Sequence, residues 1–516
     1  MRIRCIEHPF IVLLCLPAFL WGGDPGTPDS WVPARWAGGP LELEWRAKAK
    51  TAPSEPAIRD AIAGWYDPAT LRLLEGSGIN CLLVTWSAGA DRELERRQQQ
   101  LVKAYAAEAH RLGISVLGLV YPGADPAEFV AAAADARLEG FVLDGEFPAG
   151  FTERVTQALA STATSALVIP IAAEAASIRT ARLPVLAVKG VSPSARNLSD
   201  MGIRAAPSSE PWIQSNVWLV RSFRLAAAWR PVWISYQPDG GTPADYARSV
   251  ADSAVAGGRW IAAIDDGLRA KLHRNDSAAL AVWRRIGACL KFAEDHAEWR
   301  SFVPYGNLGV IVDTAAGDDG MADEYLKLVA RRQVPYRPIA RSQLSSALLG
   351  GFRAVLATAL APPSAAERKM LAGFAQNGGL LVAGPSWGSP PKDEPFAEVP
   401  LGKGRVTVYK DPDPESVARD MRDLLSHREA GVAAFNVPSV ITYASSSVDG
   451  KRLLVQLLNY SNSPSTAITI RVSGNFRTAR LFTPDAAPAN LAMSPAEGQI
   501  DITIPKLSLW GGVLLE

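Results

Sequence analysis

Cysteine is scarce in this chain. There are four in 516 residues, and two of them, Cys5 and Cys15, lie within the first 22 positions. The others are Cys81, in the strand-like run CLLVTW, and Cys289, in AVWRRIGACLKF. That excludes a disulfide-stapled scaffold. A single bridge between the two stays open, but two buried free thiols suit their apolar surroundings better. Histidine is scarce too. No two of His8, His110, His273, His296 and His427 have metal-ligand spacing, so neither a zinc site nor any cofactor is expected. Excess charge is missing: 53 basic against 52 acidic residues leave +1. Such a chain has no electrostatic footprint for nucleic acid or anionic lipid, whereas neutral glycans remain open as partners. No GxGxxG or GxxxxGK[ST] follows a strand, and there is no GxSxG elbow, so nucleotide binding and serine-hydrolase chemistry find no support.

Long apolar runs are confined to the N-terminus. Met1–Gly22 joins Arg2 and Arg4 to the apolar stretch Phe10–Trp21, which Pro17 interrupts. Residues 1–22 read as a secretory signal peptide, so export to the periplasm or the medium is expected. The run VLLC ending at Cys15 lacks the small residue a lipobox places before its cysteine, so no lipid anchor is expected. No later segment reads as membrane-spanning.

Residues 24–56 are rich in Pro, Gly and Trp and form an irregular lead-in, with one strand in LELEW. Over 57–300 a rhythm sets in. Strand-length apolar runs recur at 79–86, 114–121, 140–144, 166–172, 183–188, 201–206, 231–236 and 259–265, separated by helix-patterned segments. In one such helix Leu94, Leu101, Tyr105 and Ala109 share a face and Gly113 ends it. Another, 276–294, starts at the cap Asp276 and carries Leu280, Trp283, Ile286 and Leu290 on one stripe. Strands apolar on both faces, alternating with helices, predict a (β/α)8 TIM barrel. Residues 306–411 predict a flavodoxin-like three-layer α/β domain, 412–435 a helical link, and 436–516 an antiparallel β-sandwich with clean alternation in ITIRV and QIDITI.

The order of barrel, small α/β domain and β-sandwich resembles the family 42 glycoside hydrolases, the microbial β-galactosidases. The resemblance implies a barrel glycosidase whose middle domain looks like a class I glutamine amidotransferase and serves self-association. That family carries an Asn-Glu pair after its fourth barrel strand as general acid/base and a Glu after its seventh as nucleophile. Here the first position holds Asp144-Gly145-Glu146, and the second, in PVWISYQPDGG, holds Gln237 and Asp239 in place of the Glu. A strand ending in Asp-Gly is also similar to the α-fucosidase pattern, in which that Asp is the nucleophile. Residues 306–411 contain neither Cys nor His, so this domain can bind or assemble but cannot run Cys-His acyl chemistry.

Glycoside hydrolysis needs two carboxylates, about 5–5.5 Å apart for retention or about 6.5–9.5 Å for inversion. In a barrel they come from the C-terminal ends of strands. Asp144 and Glu146 qualify by position, with Gly145 able to break the strand alternation between them; otherwise Asp144 caps a turn and Glu146 is solvated. For the partner, Asp265 and Asp266 close the last strand, where two adjacent acids would raise one pKa. Their bland reading is helix capping and a salt bridge to Arg269. Glu210, in SSEPWIQSN, is the second choice, while Asp239 is explained by its Pro-Asp-Gly-Gly turn. Aromatic rings that could stack on sugar are Trp86, Tyr121, Trp212 and Tyr236; amides that could bind hydroxyls are Gln214, Asn216 and Gln237. Trp218 and Trp233 read as core. Two functions are therefore expected in competition: an exported glycoside hydrolase acting on a neutral glycan, or a non-catalytic carbohydrate-binding or assembly protein on a degenerate barrel.

Overall fold

The structure is a computed structural model that describes residues 27–162, 166–179, 181–196, 212–226, 230–238, 241–313, 320–358, 360, 362–387, 394–437 and 439–516. Eight parallel strands form a barrel. They are β1 (Pro33–Arg35), β2 (Cys81–Ser87), β3 (Ser115–Val120), β4 (Gly140–Leu143), β5 (Leu167–Ala172), β6 (Leu186–Lys189), β9 (Val232–Ser235) and β10 (Arg259–Trp260), hydrogen-bonded in that order. β7 (Ser194–Arg196) and β8 (Trp212–Gln214) pair separately as an antiparallel ribbon. The barrel closes where Arg35 N donates to Ala262 O at 2.8 Å and Ala262 N donates to Pro33 O at 2.9 Å. The run at 201–206 lies outside the described residues.

The first strand is thus PAR rather than LELEW, which belongs to helix α1 (Gly39–Lys48). Its helical signals are Pro40 in the first turn, Glu42 near the N-terminus, and Arg46 and Lys48 in the last turn, an order that suits the helix dipole. The remaining barrel helices are α2 (Pro56–Ala63), α3 (Arg92–Arg111), α4 (Pro126–Ala136), α5 (Phe151–Ser161), α6 (Val217–Ala226), α7 (Pro243–Ala254), α8 (Asp266–His273) and α9 (Ser277–Asp295). Strand alternation divides the core. Leu83, Leu117, Leu119, Val142, Ile169 and Trp233 fill one cluster inside the barrel. Leu82, Val84, Trp86, Val116 and Phe141 face the helices.

In α3 the buried stripe is Gln98, Val102, Tyr105, Ala106 and Ala109, and Leu101 is exposed. A polar residue holds the central place because its amide satisfies backbone groups of β2, of the β1–α1 connection and of the start of α1. Gln98 Nε2 donates to Gly38 O and to Thr85 O, both at 2.9 Å, while its Oε1 accepts from Leu41 N at 3.3 Å. Cys81 and Cys289 are free and buried.

Beyond the barrel come β11 (Val303–Pro304), β12 (Leu308–Val312), α10 (Gly320–Arg331), β13 (Tyr336–Ala340), α11 (Ser346–Leu349), β14 (Ala354–Leu356), α12 (Ala365–Gln376), β15 (Leu380–Ala383), β16 (Phe396–Leu401), β17 (Gly404–Tyr409) and α13 (Pro414–Leu424). The sheet of the middle domain runs β13-β12-β14-β15-β17-β16, parallel except for β16. Val310 packs on the α10 side and Ile311 on the α12 side, the mark of three layers. A short helix α14 (His427–Ala430) precedes the terminal strands. Two antiparallel sheets, built from β18 (Val432–Phe435) through β26 (Trp510–Leu515) with β11 as an edge, enclose a core of Val455, Leu457, Ile468, Ile470, Ile502 and Ile504.

Candidate active site

The mouth of the barrel is built at the C-terminal strand ends. Asp144 N donates to Val120 O at 3.0 Å and Tyr121 N to Ser87 O at 2.9 Å, so the ladder carries both residues to the same rim. Arg35 ends β1, and α1 begins four residues later. Arg35 Nη1 meets Asp144 Oδ2 at 2.6 Å, and its Nη2 donates to the Tyr121 hydroxyl at 3.2 Å. Tyr121 in turn donates to Glu42 Oε2 at 2.8 Å, and Thr85 Oγ1 donates to the same oxygen at 2.7 Å. Two carboxylates from different elements, Asp144 after β4 and Glu42 on α1, are therefore joined through one guanidinium and one phenol. Trp45, one turn further along α1, stacks on Tyr121 with ring centroids 4.7 Å apart and is half-buried.

A second ion pair flanks this chain. Arg46 binds Asp266 bidentately, Nη1 to Oδ1 at 2.9 Å and Nη2 to Oδ2 at 2.6 Å. Arg269, also buried, donates to Ala37 O at 2.7 Å. Burial opposes the charge on Arg35, yet Asp144, Tyr121 and Glu42 outweigh it and raise its pKa. Burial, followed by the charge of Glu42, pushes the Tyr121 hydroxyl well up, so it stays a donor.

Asp144 and Glu146 diverge. Asp144 turns into the rim, whereas Glu146 is exposed. Gly145 separates them at φ +134°, and a Cβ there would come within 2.6 Å of Pro122. Asp265 caps α8, with Oδ1 accepting from Leu268 N at 2.9 Å and Oδ2 bonded by the Tyr246 hydroxyl. Asp266 pairs with Arg46, not with Arg269, and the expected raised pKa does not occur on it. Burial pushes it up, but the hydrogen bond and charge of Arg46, with Arg269 behind, hold it below the ordinary value. Glu210 and Asp239 lie outside the described residues, as does the side chain of Trp212.

Among the described aromatic and amide candidates, Tyr121 alone joins the Glu42–Arg35–Asp144 chain. Trp86 is completely buried and points to the helix layer, where its Nε1 donates to Phe129 O at 3.0 Å. Over Cys81–Val84 strand β2 is apolar on both faces; at its rim end Thr85 and Ser87 mark the inward side, and Trp86 between them faces out. Asn216 is spent on structure: Nδ2 donates to Val191 O at 2.8 Å and Asp252 Oδ2 at 3.0 Å. Tyr236 stacks on Trp260 at 5.6 Å, Gln237 is exposed and reaches Ile264 O at 3.4 Å, and Gln214 lies half-buried on β8. Trp233 is core, as expected. Sequence reasoning missed Glu42, Arg35 and Arg46. The Gly-Gly-Pro start followed by acid and then base was the available signal for α1.

No family model matches the chain, and no curated protein matches it. Solved structures do. The alpha-L-fucosidase isoenzyme 2 from Paenibacillus thiaminolyticus superposes with a TM-score of 0.54 at 12% identity, over 87% of this chain and 96% of that one. The chain shares the fold of that enzyme. An exo-beta-1,4-mannosidase from Opitutaceae bacterium strain TAV5 gives 0.44 at 11% identity, over 76% of this chain and 94% of the other. A GH42 beta-galactosidase from G. stearothermophilus gives 0.36 at 9% identity, over 83% and 68%.

Proposed function

We propose that the chain is an exported glycoside hydrolase that acts on a neutral glycan at the C-terminal rim of its barrel, with Asp144 and Glu42 as the carboxylate pair. The observation that carries this reading is the chain Asp144–Arg35–Tyr121–Glu42 at the place where barrel enzymes keep their chemistry. Asp144, facing a guanidinium, suits the nucleophile or the stabiliser of an oxocarbenium-like transition state. Glu42, which takes hydroxyl donors, suits acid/base work. The half-buried Trp45 offers a sugar-stacking face beside them. The likeness to a fucosidase supports an aryl α-L-fucoside as the first substrate to try.

A second reading, a carbohydrate-binding protein without turnover, is favoured by one specific observation: Asp144 and Asp266 are each held by an arginine. A panel of aryl glycosides separates the two. Turnover by the wild type should fall by about 10²–10⁴-fold in Asp144→Asn and in Glu42→Gln, the usual worth of one acid/base or comparable group, and persist in Glu146→Gln. Glycan binding with no turnover on any substrate rejects the enzyme and leaves the second reading.

A further inference from the structure

A cavity of about 430 Å³ lies where barrel, middle domain and sandwich meet. Arg224 and Leu225 of α6, Ala254 of α7 and Ala293 of α9 reach it from the C-terminal halves of those helices, and Gly257 lies just ahead of β10. The cavity is therefore at the N-terminal face of the barrel, opposite the rim that holds Asp144. Its volume falls in the range of small-molecule sites, roughly 300–1,000 Å³.

Its chemistry is one-sided. Among the described residues, Arg221, Arg224, Arg300 and Arg337 line it, and no Asp or Glu does. Arg221 is buried with its guanidinium 5.2 Å from the ring centres of both Tyr336 and Tyr443. Arg337 lies 3.9 Å over Phe352 and donates to Gly306 O at 3.0 Å. Arg224 donates to Ala256 O at 2.8 Å, and a Cβ at Gly257 would collide with its Nη1 at 2.4 Å, so the glycine makes room for the guanidinium. Of two nearby carboxylates, Glu294 is shared by Arg259 and the lining Arg300 and offsets part of that charge, whereas Asp252 takes its donors from Ser215, Asn216 and Tyr460. Three helix C-termini offset about half a charge each, and together with Glu294 against Arg300 they still leave the four guanidiniums with an excess of positive charge. The pKa of Arg224 is accordingly lowered to about 10, by burial first and then by the charges of Arg221 and Arg300. Trp299, Phe302 and Trp510 supply apolar wall.

We propose that this cavity binds a small organic carboxylate with an apolar body, its head among the arginines and its body against the aromatic wall, thereby bracing the three domains. The test uses the intact chain with naphthoate and its uncharged isostere naphthamide, read by calorimetry and thermal shift. Naphthoate should bind and raise the melting temperature. Naphthamide should bind roughly tenfold or more weakly, the worth of a charge-assisted hydrogen bond. Arg337→Gln should weaken naphthoate by a similar factor, and Ile339→Trp, which fills the cavity, should abolish binding. Absence of naphthoate binding, equal binding of acid and amide, or unchanged binding by either variant overturns the proposal. The acid/amide comparison is made on the wild type and so does not depend on whether the variants fold.

Discussion

Asp252 offers the sharpest test of how the domains are joined. It lies on α7, completely buried. Oδ1 accepts from Ser215 Oγ at 2.6 Å and from the Tyr460 hydroxyl at 2.7 Å. Oδ2 accepts from Asn216 N at 2.7 Å and from its Nδ2 at 3.0 Å. Tyr460 belongs to the sandwich, so one carboxylate staples it to the barrel. Asp252→Asn keeps the shape but turns an NH2 toward donors. Hydrogen bonds to a charged group are each worth about 1.5–3 kcal/mol, and at least one of those from Asn216 or from the hydroxyl pair is lost. Removing the buried charge returns part of this, because desolvating an ion costs several kcal/mol. The net expectation is a loss of about 2 kcal/mol at neutral pH.

The pH dependence has a definite sign. Burial raises the folded pKa of Asp252 above its ordinary 3.8, although the hydrogen bonds from Ser215, Tyr460 and Asn216 pull it back. A raised carboxylate pKa means that the folded chain binds the proton more tightly than the unfolded one. The resulting stabilisation is complete below the ordinary value and disappears as pH rises through the folded value. Asparagine does not titrate, so the stability gap between wild type and Asp252→Asn should be widest in acid and narrow upward. Urea unfolding followed by tryptophan fluorescence at a series of pH values measures it. A double-mutant cycle with Tyr460→Phe should give a coupling of about 1–3 kcal/mol. A gap that widens with pH, or a coupling near zero, refutes the reasoning.

Gln98→Leu should cost about 2–4 kcal/mol, because the carbonyls of Gly38 and Thr85 lose their donor inside the core; it should also loosen α1 and weaken any rim activity. Unchanged thermal stability would contradict the role given to this amide. Trp86→Phe should lower stability by about 1–3 kcal/mol through the lost bond to Phe129 O while leaving glycan affinity untouched, as parallel melting and binding curves would show. Altered affinity would return Trp86 to the site.

The barrel was legible because its strands are apolar on both faces and alternate with helices, a pattern that local chemistry writes directly into the sequence. What failed did so for tertiary reasons. β1 is three residues long, too short for any periodicity, and the ladder to β2 defines it. LELEW satisfies period 2 and, through Leu41 and Trp45, helical spacing as well; the preceding Gly-Gly-Pro decides between them. Leu101 was assigned to a buried face that Gln98 occupies instead, because the backbone of another element needed an amide there. Asp144 was visible as a strand-end acid. Its partner Arg35 was not, since 109 positions separate them and only barrel closure brings β1 within reach of β4.

The rim acids are held in different ways. Asp266 is held ionised below its ordinary value by Arg46 and Arg269, which makes it a poor proton donor. Asp265 uses one oxygen on the start of α8 and the other on Tyr246, so moving it toward a substrate would uncap that helix at a cost of about 1 kcal/mol. Glu146 faces solvent. Among the described rim acids, Asp144 is held by a single ion pair and Glu42 by two hydroxyl donors. A sugar hydroxyl entering between Arg35 and Tyr121 would replace the single bond that joins them, accepting from Arg35 Nη2 and donating to the Tyr121 oxygen.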